Sequence, residues 1–539
     1  MHHRAEPSDE AAVHFDVPPS SSSDMVPTEV TPLIAGAPKR PGTGRSRTES
    51  ILRAANLHVP KVHNPDIIVA IFCAVVLIGS GGGGLWFIPA TRLVEDIVCR
   101  QYYDVSSTAS LDEDMCKEDA IQSKVAYLFA VYSALQAFIG AVCAFPWGIV
   151  ADRLGRKKVF SITVFGIAMD QLWFAVVCGF PGTIPIQSIW LGPSVIALGG
   201  GNAVLSAVVF SMLSDVTTPE NRAKSFMRVH VASMLGNLCA PSVAGWMMLR
   251  TGPWPVIWLA WGLFLTLIVT IHFVPETKPA AQVSADPIAN EPEAESAVLG
   301  PIQHTLHRLR ESLVLLKSPP LVILLVAVLI AYPVNASTFQ FMSIFASKRF
   351  HVSLSQTGYL SSLYGFGVLL SVMVILPALS KLLASPSMPK AVRFPDDHQR
   401  DLVLARLSSV ALVIGSLSMS ASPTVGAFVG GLAILALGTG WGSYTRSIST
   451  VFVDAAHRTR LYSIISVVET AGSTYAQPML AGLLSLGMRL GGLWIGLPYL
   501  GVATSCSIAM ALLFIVSLPP KDGKHATDDN GEANGQAEL

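Results

Sequence analysis

Long apolar stretches alternate with short polar segments along most of the chain. A helix needs roughly 20 apolar residues to cross the hydrocarbon core of a bilayer. Twelve stretches are long enough, at 67–93, 125–149, 159–179, 187–212, 226–249, 254–274, 320–345, 356–380, 401–420, 424–446, 462–486 and 493–518. Lipid offers no partners to backbone N–H and C=O groups, so each stretch is predicted to be helical. The pattern predicts an all-α membrane protein with twelve transmembrane helices.

Composition agrees with a membrane protein. Of the 539 residues, 51% are hydrophobic and only 13% are charged, against about 25% charged in soluble domains. The 36 basic and 36 acidic residues cancel, so no net field attracts polyanions. This argues against a soluble enzyme, a disordered protein and a nucleic-acid binder. No nucleophile–base motif and no metal-ligand spacing is present in the sequence, so we predict no enzyme activity, no cofactor and no metal.

Basic residues cluster in alternate loops, namely the tail before the first span and the loops after spans two, four, eight and ten. Lys and Arg favour the cytosolic face, so both termini are predicted to be cytosolic. The first outer loop is acidic and contains Cys99 and Cys116. An oxidising outer side favours a disulfide between them, and two free thiols are the alternative.

A long polar break divides the apolar stretches into two sets of six. We predict a cytosolic linker at 276–318 between an N-terminal bundle at 66–275 and a C-terminal bundle at 319–518. The segments 1–65 and 519–539 are predicted to be cytosolic tails, the first of them disordered.

The two sets of six resemble each other. Pro241-x-x-Ala244-Gly245 recurs 237 positions further on as Pro478-x-x-Ala481-Gly482. A parallel six-plus-six repeat is typical of secondary transporters, so we predict two pseudo-symmetric six-helix bundles.

A glycine and charge pattern follows the second span. Its members are Gly148, Asp152, Arg153, Gly155 and Arg156. The glycines suit a close helix contact and a tight turn, and the charges suit hydrogen bonds at the membrane rim, with Asp215 as a candidate partner. The pattern resembles motif A of the major facilitator superfamily. That resemblance implies gating by a latch between the halves in the outward-facing state. The alternative is an ordinary basic cytosolic loop.

Small residues in the fifth span give a second resemblance. Gly236, Pro241 and Gly245 are similar to motif C of the same superfamily, which marks its antiporter branch, although generic small-residue packing is the alternative. The segment 214–223 resembles a loop of tetracycline–proton antiporters and of the proton-coupled folate transporter family. The acidic, cysteine-bearing first outer loop fits fungal members.

Two carboxyl groups lie deep within predicted spans. Asp170 is about 18 Å beyond the basic loop and Glu469 about 13 Å beyond Arg460, at 1.5 Å per residue. An ionised carboxylate there costs several kcal/mol unless it is paired, protonated or in contact with water, so either can couple transport to a proton. Glu469 is the leading candidate, because it lies in a repeat-related helix of the central cavity. His230 is a third coupling candidate, because histidine as a residue type can take up and release a proton near neutral pH. A fixed hydrogen bond or ion pair is the alternative for the carboxyls.

Other polar side chains within spans are candidates for the substrate cavity, and interhelical hydrogen bonds are the alternative. They are Gln136, Asn202, Asn335, Gln340 and Tyr444.

The resemblances imply a transporter that exports a small organic molecule by proton antiport with alternating access. The alternatives are a nutrient importer or vacuolar transporter working by symport or uniport, and a transporter-fold sensor. We expect a monomer in the plasma membrane that interacts with substrate, protons and lipid and not with nucleic acid. Residues 29–34 resemble a dileucine sorting signal, so the vacuolar membrane is the alternative location.

Overall fold

The structure is a computed structural model. It describes residues 64–105, 112–217, 219–274, 318–339, 341–386, 389, 393–394, 396–453 and 458–517. The predicted linker and tails lie almost wholly outside these residues, as do the sorting signal at 29–34 and the cavity candidate Gln340. The side chain of Asp152 is outside the described part as well.

Six helical elements form the first half. They are α1 (Pro65–Tyr103), α2 (Asp119–Leu154), α3 (Arg156–Gly179), α4 (Gly192–Ile196 and Gly201–Val216), α5 (Pro219–Thr251) and α6 (Pro253–Ile271). Short 3-10 turns, Glu113–Lys117 and Ile186–Leu191, precede α2 and α4. The break in α4 follows from the glycines there, because Gly200 and Gly201 adopt φ angles of +75° and +63°.

Six further elements form the second half. They are α7 (Pro319–Ala331, Pro333–Phe339 and Phe341–Phe350), α8 (Leu354–Leu370, a π-helical turn Ser371–Ile375 and Leu376–Ala384), α9 (Asp397–Ala421), α10 (Val425–Leu437 and Trp441–Ser449), α11 (Arg458–Leu490) and α12 (Leu497–Ile515). Over the described part of the chain the secondary structure is helical throughout, with no strand, which confirms the predicted all-α class.

Ten helical stretches among the described residues are long and apolar enough to cross a membrane. The other two predicted spans correspond to α5 and α11, which are 33 residues long each. Both helices carry polar side chains that line cavities, so their sequences are less apolar than those of the other spans. The ten agree with the predicted pattern, and the crossing of α5 and α11 stays a prediction.

The first helix is longer than the predicted apolar stretch. Glu95 and Cys99, expected in the outer loop, lie on α1, which continues to Tyr103. The charge of Glu95 is tolerated there because its carboxylate accepts hydrogen bonds from Arg92 at 2.7 Å, Lys117 at 2.6 Å and Gln122 at 2.6 Å. Partnered charges therefore extend the helix beyond its apolar part.

The helices pack mainly within each half, α1 against α5 and α6, and α9 against α10 and α12. Two helix pairs make most of the contacts between the halves, α2 with α11 and α5 with α8. We call the end where α1 terminates the disulfide end, and the end where α2 meets α3 the motif end. One apolar core joins both halves toward the disulfide end and continues within the second half, whereas toward the motif end the first half has a separate core and a small further cluster lies in the second half.

Candidate functional site

The two halves enclose a set of adjoining cavities. The largest of the four described here has a volume of about 610 Å³ and lies between the halves. Its polar side chains come from α2, α3, α4, α7 and α11: Ser133, Gln136, Asp170, Asn202, Tyr332, Asn335, Thr470, Ser473 and Gln477. Since both halves contribute hydroxyl and amide groups, this cavity can hold a small molecule by hydrogen bonds.

A second cavity of about 510 Å³ lies within the first half and shares Gln136, Asp170 and Asn202 with the largest one. Much of its wall is aromatic: Trp86, Phe87, Phe129, Tyr132, Phe160, Phe210 and Phe264. Such a wall suits an apolar or aromatic body, because rings bury a large area and stack on one another.

Two smaller cavities extend this region. One of about 350 Å³ shares His230 with the aromatic cavity and reaches α8. The other, of about 120 Å³, contains Arg446 and Glu469 and shares Asn335 with the largest cavity. The shared walls make the four cavities one polar and aromatic region at the centre of the fold.

Asp170 lies at the junction of the two largest cavities and is only 2% exposed. Its Oδ2 accepts hydrogen bonds from the Tyr132 hydroxyl and from Nε2 of Gln136, each at 2.8 Å. Tyr132 and Gln136 are four residues apart on α2, so both point to one side of that helix. Oδ1 is buried without a partner among the described residues. It faces Gly192, where a Cβ atom would lie 2.5 Å away.

Glu469 has a different environment, because it is ion-paired. Nη2 of Arg446 donates to Oε1 at 2.5 Å and to Oε2 at 2.7 Å. The side chains of Arg446 and Glu469 are 50% and 28% exposed. This places a compensated charge pair between α10 and α11 in the second half.

The other predicted cavity residues are placed as follows. Asn202 and Asn335 are exposed and line the largest cavity. His230 is exposed and lines the aromatic cavity and the one that reaches α8. Tyr444 is half-buried against the apolar core and lines none of the four cavities described above. The structure therefore brings His230, Asn202, Asn335 and Gln136 together and leaves Tyr444 apart.

The residues resembling motif A lie at the turn between α2 and α3. Gly155 adopts φ +97° there, a conformation that favours glycine. Arg156 pairs with Asp215 of α4 and donates to the Ser211 carbonyl at 2.9 Å, while Arg153 is exposed. A Cβ on Gly148 would meet no described atom within 4 Å, so the close helix contact predicted for this glycine is not made in this conformation.

The residues resembling motif C make close contacts. A Cβ on Gly236 would lie 2.8 Å from the Leu77 carbonyl oxygen of α1. Gly245 faces the Ser355 carbonyl oxygen of α8, and Gly358 of α8 faces the carbonyl oxygen of Pro241. Small residues thus let α5 approach α1 in its own half and α8 in the other half.

The disulfide end joins the halves by polar contacts. A disulfide links Cys99 and Cys116, with a Cα–Cα distance of 5.3 Å, and so ties the turn Glu113–Lys117 to α1. Glu113 accepts a hydrogen bond from the backbone N–H of Leu354, the first residue of α8, at 2.8 Å. Lys348 pairs with Asp119 at 2.5 Å. The halves are therefore closed against each other at this end.

The comparison with protein families decides the class of protein. The model of the Major Facilitator Superfamily matches residues 117–477. The chain belongs to the Major Facilitator Superfamily. It is therefore a multi-pass membrane protein of a family whose members bind small-molecule substrates in the bilayer.

Relatives of this superfamily member include fungal pumps. The MFS-type transporter aprT of Aspergillus flavus is 27% identical, over 90% of this chain and 95% of its own length. The efflux pump ustT of Aspergillus flavus is 27% identical over 80% of this chain and 84% of its own. The MFS efflux pump atnC of Emericella nidulans is 27% identical over 81% and 85%.

Solved structures support the fold. A D-xylose–proton symporter superposes with a TM-score of 0.58 at 14% identity, covering 85% of this chain and 99% of its own. The nucleoside transporter NupG superposes with a TM-score of 0.57 at 14% identity, covering 83% of this chain and 99% of its own.

Three site residues were missed in the sequence. Arg446 ends the tenth apolar stretch, so a charge within a predicted span was a visible signal. Tyr132 lies one helical turn before Gln136 and was visible as its neighbour on one helix face. Gly192 gave no signal, because its place opposite Asp170 depends on how α3 and α4 pack.

Proposed function

We propose that this protein is a proton-coupled secondary transporter that exports a small organic molecule. Efflux-pump relatives that match most of the chain support the direction of transport. The observation that carries the coupling is Asp170, a carboxyl buried at the junction of the two largest cavities. Its hydrogen-bond partners are the neutral donors Tyr132 and Gln136.

Asp170 is the proposed proton carrier for a physical reason. An ionised carboxylate with no cation beside it is costly in a dry interior, so a change between wet and dry surroundings changes its affinity for a proton. In antiport, one conformation then carries the substrate in the adjoining cavities, and the other carries a proton on Asp170. Glu469 and His230 remain further coupling candidates, but the pairing with Arg446 compensates the charge of Glu469 in this conformation.

The conformation is proposed to be inward-facing, with the disulfide end outside the cell and both termini in the cytosol. The ion pair between Lys348 and Asp119, the shared apolar core and the disulfide all lie at one end. At the motif end the cores are separate and Gly148 has no close neighbour. In this proposal Gly148 and Arg153 meet the second half only when the transporter faces outward.

We further propose a plasma-membrane location and a monomer. The partners are then the exported molecule, protons and lipid. Microscopy of a tagged protein would test the location, and a vacuolar signal would overturn it. Mass photometry of the protein in nanodiscs would test the monomer.

The experiment that tests export is metabolite profiling of a strain that lacks this protein, both inside the cells and in the medium. We expect at least one metabolite to accumulate inside the deletion strain and to return to the medium on complementation with wild-type protein, but not with Asp170→Asn. Depletion of a metabolite inside the deletion strain would instead show import. An unchanged profile on both sides would overturn export.

A further inference from the structure

Arg446 is the most accessible fixed charge in the central cavities. Its side chain is 50% exposed and that of Glu469 is 28% exposed, whereas Asp170 is 2% exposed behind Tyr132. A molecule in the cavities can therefore contact the guanidinium of Arg446 more readily than either carboxyl group.

The guanidinium is only partly used. Both oxygens of Glu469 bind a single nitrogen, Nη2. Arginine carries five N–H donors on three nitrogens, and the donors on Nε and Nη1 have no hydrogen-bond partner in the described ranges. Arg446 and Glu469 both line the cavity of about 120 Å³, which adjoins the largest cavity through Tyr332 and Asn335.

The ion pair with Glu469 determines which ligands can bind the remaining donors of Arg446. A neutral carbonyl or amide oxygen can accept from Nε or Nη1 while Glu469 keeps the guanidinium compensated. A carboxylate at the same place would add a second negative charge beside Glu469, and like charges a few ångströms apart repel each other.

We propose that Arg446 binds a neutral hydrogen-bond acceptor of the transported molecule, and that Glu469 excludes carboxylates from the same site. The inference rests on the proposed transport function and narrows the substrate class. The substrate is a neutral molecule whose carbonyl or amide acceptor lies at Arg446 and whose remainder lies in the adjoining cavity of about 610 Å³.

This role for Glu469 is distinct from proton coupling. The carboxylate acts through Arg446 and through its own charge, so it is a specificity-determining residue. A neutral substrate is also compatible with a proton carried by Asp170. Such a substrate adds no charge near that carboxyl group, so burial and hydration alone set its proton affinity.

The test is ligand binding to the full-length protein in nanodiscs, measured by equilibrium dialysis. The probes are benzamide and indole acetamide with the matching acids, benzoate and indole acetate, at neutral pH. Wild-type protein is expected to bind the amides about tenfold more tightly than the acids. Arg446→Gln should lower amide affinity by about tenfold, the effect of losing a hydrogen bond to a charged group.

Glu469→Gln is expected to increase the affinity for the acids, a result that structural damage would not produce. Removing the negative charge leaves Arg446 uncompensated, so we expect acid affinity to rise about tenfold or more and the preference for amides to disappear. Arg406→Gln is the matched control, because Arg406 donates to the carbonyls of Phe514 and Val516 at the far side of the second half. It should leave both affinities unchanged.

Three results would overturn the proposal. They are no measurable amide binding by wild-type protein, acids bound as tightly as amides, and an amide preference that survives in Glu469→Gln. None of them requires transport, so each is distinguishable from failure of the export proposal. That proposal fails when the deletion strain shows an unchanged metabolite profile.

Discussion

Among the described residues, each half contributes one carboxyl group to the central cavities, and the two groups differ in what surrounds them. Asp170 in the first half is 2% exposed and receives only neutral hydrogen bonds, from Tyr132 and Gln136. Glu469 in the second half is ion-paired with Arg446. Burial without a cation favours a group that gains and loses a proton, whereas a compensated pair keeps its charge. Halves built on one repeat can thus divide coupling and selectivity between them.

The largest effects on export are expected from substitutions of the two carboxyl groups themselves. Asp170→Asn should reduce gradient-driven export to background, because the amide cannot carry a proton. Glu469→Gln should keep the dependence on the gradient, because its charge serves selectivity. The measurement is flux of the exported metabolite in proteoliposomes with and without a proton gradient. Gradient dependence that persists in Asp170→Asn, or vanishes only in Glu469→Gln, would reverse the assignment.

The disulfide extends the comparison, since it stiffens only the first half among the described residues. Cys99 and Cys116 are 17 positions apart, and a disulfide closing a loop of about 15 residues contributes about 3 kcal/mol. Cys99→Ser with Cys116→Ser should therefore lower the apparent Tm by several degrees. Cys239→Ser, which removes a free thiol on α5, is the control. An equal Tm for the two variants would show that the bridge does not hold this end.

A glycine that recurs in both halves is closely packed in the first half and not in the second. Gly245 on α5 faces the Ser355 carbonyl, but its repeat counterpart Gly482 on α11 has no described atom within 4 Å of a Cβ position. Gly245→Ala should destabilise by about 1–3 kcal/mol through overpacking. Gly482→Ala should be neutral or stabilising by up to about 1 kcal/mol, because alanine favours helix. Thermal unfolding in detergent measures both, and effects of the same sign would contradict the difference in packing.

The smallest effect is expected at the motif end. Arg156 and Asp215 form a pair within the first half whose side chains are 14% and 29% exposed, so Asp215→Asn should cost about 1 kcal/mol or less in stability. The control is Asp397→Asn, whose pair with Arg400 in the second half is more exposed. A larger loss at Asp215 than in the disulfide variant would show that the motif end dominates stability.

Much of the fold could be predicted from the chain. Hydropathy placed ten helices that the structure confirms as long and apolar enough to cross a membrane. The family resemblance rested on short patterns around Gly148 and Gly236, and the family model supports it over 117–477. The extension of α1 to Tyr103 was missed, because hydropathy counts Glu95 as polar although it is 1% exposed and fully partnered.

By itself, the sequence determined that the protein lies in a membrane, that its helices divide into two related sets, and that two carboxyl groups sit deep within them. Those features depend on local composition and on the rise per residue of a helix, and both follow from the linear sequence. Only the tertiary structure decided that Asp170 meets Tyr132 while Glu469 meets Arg446. These partners lie 38 and 23 positions away on other helices, and the crossing of helices, which no local pattern encodes, sets which side chains meet.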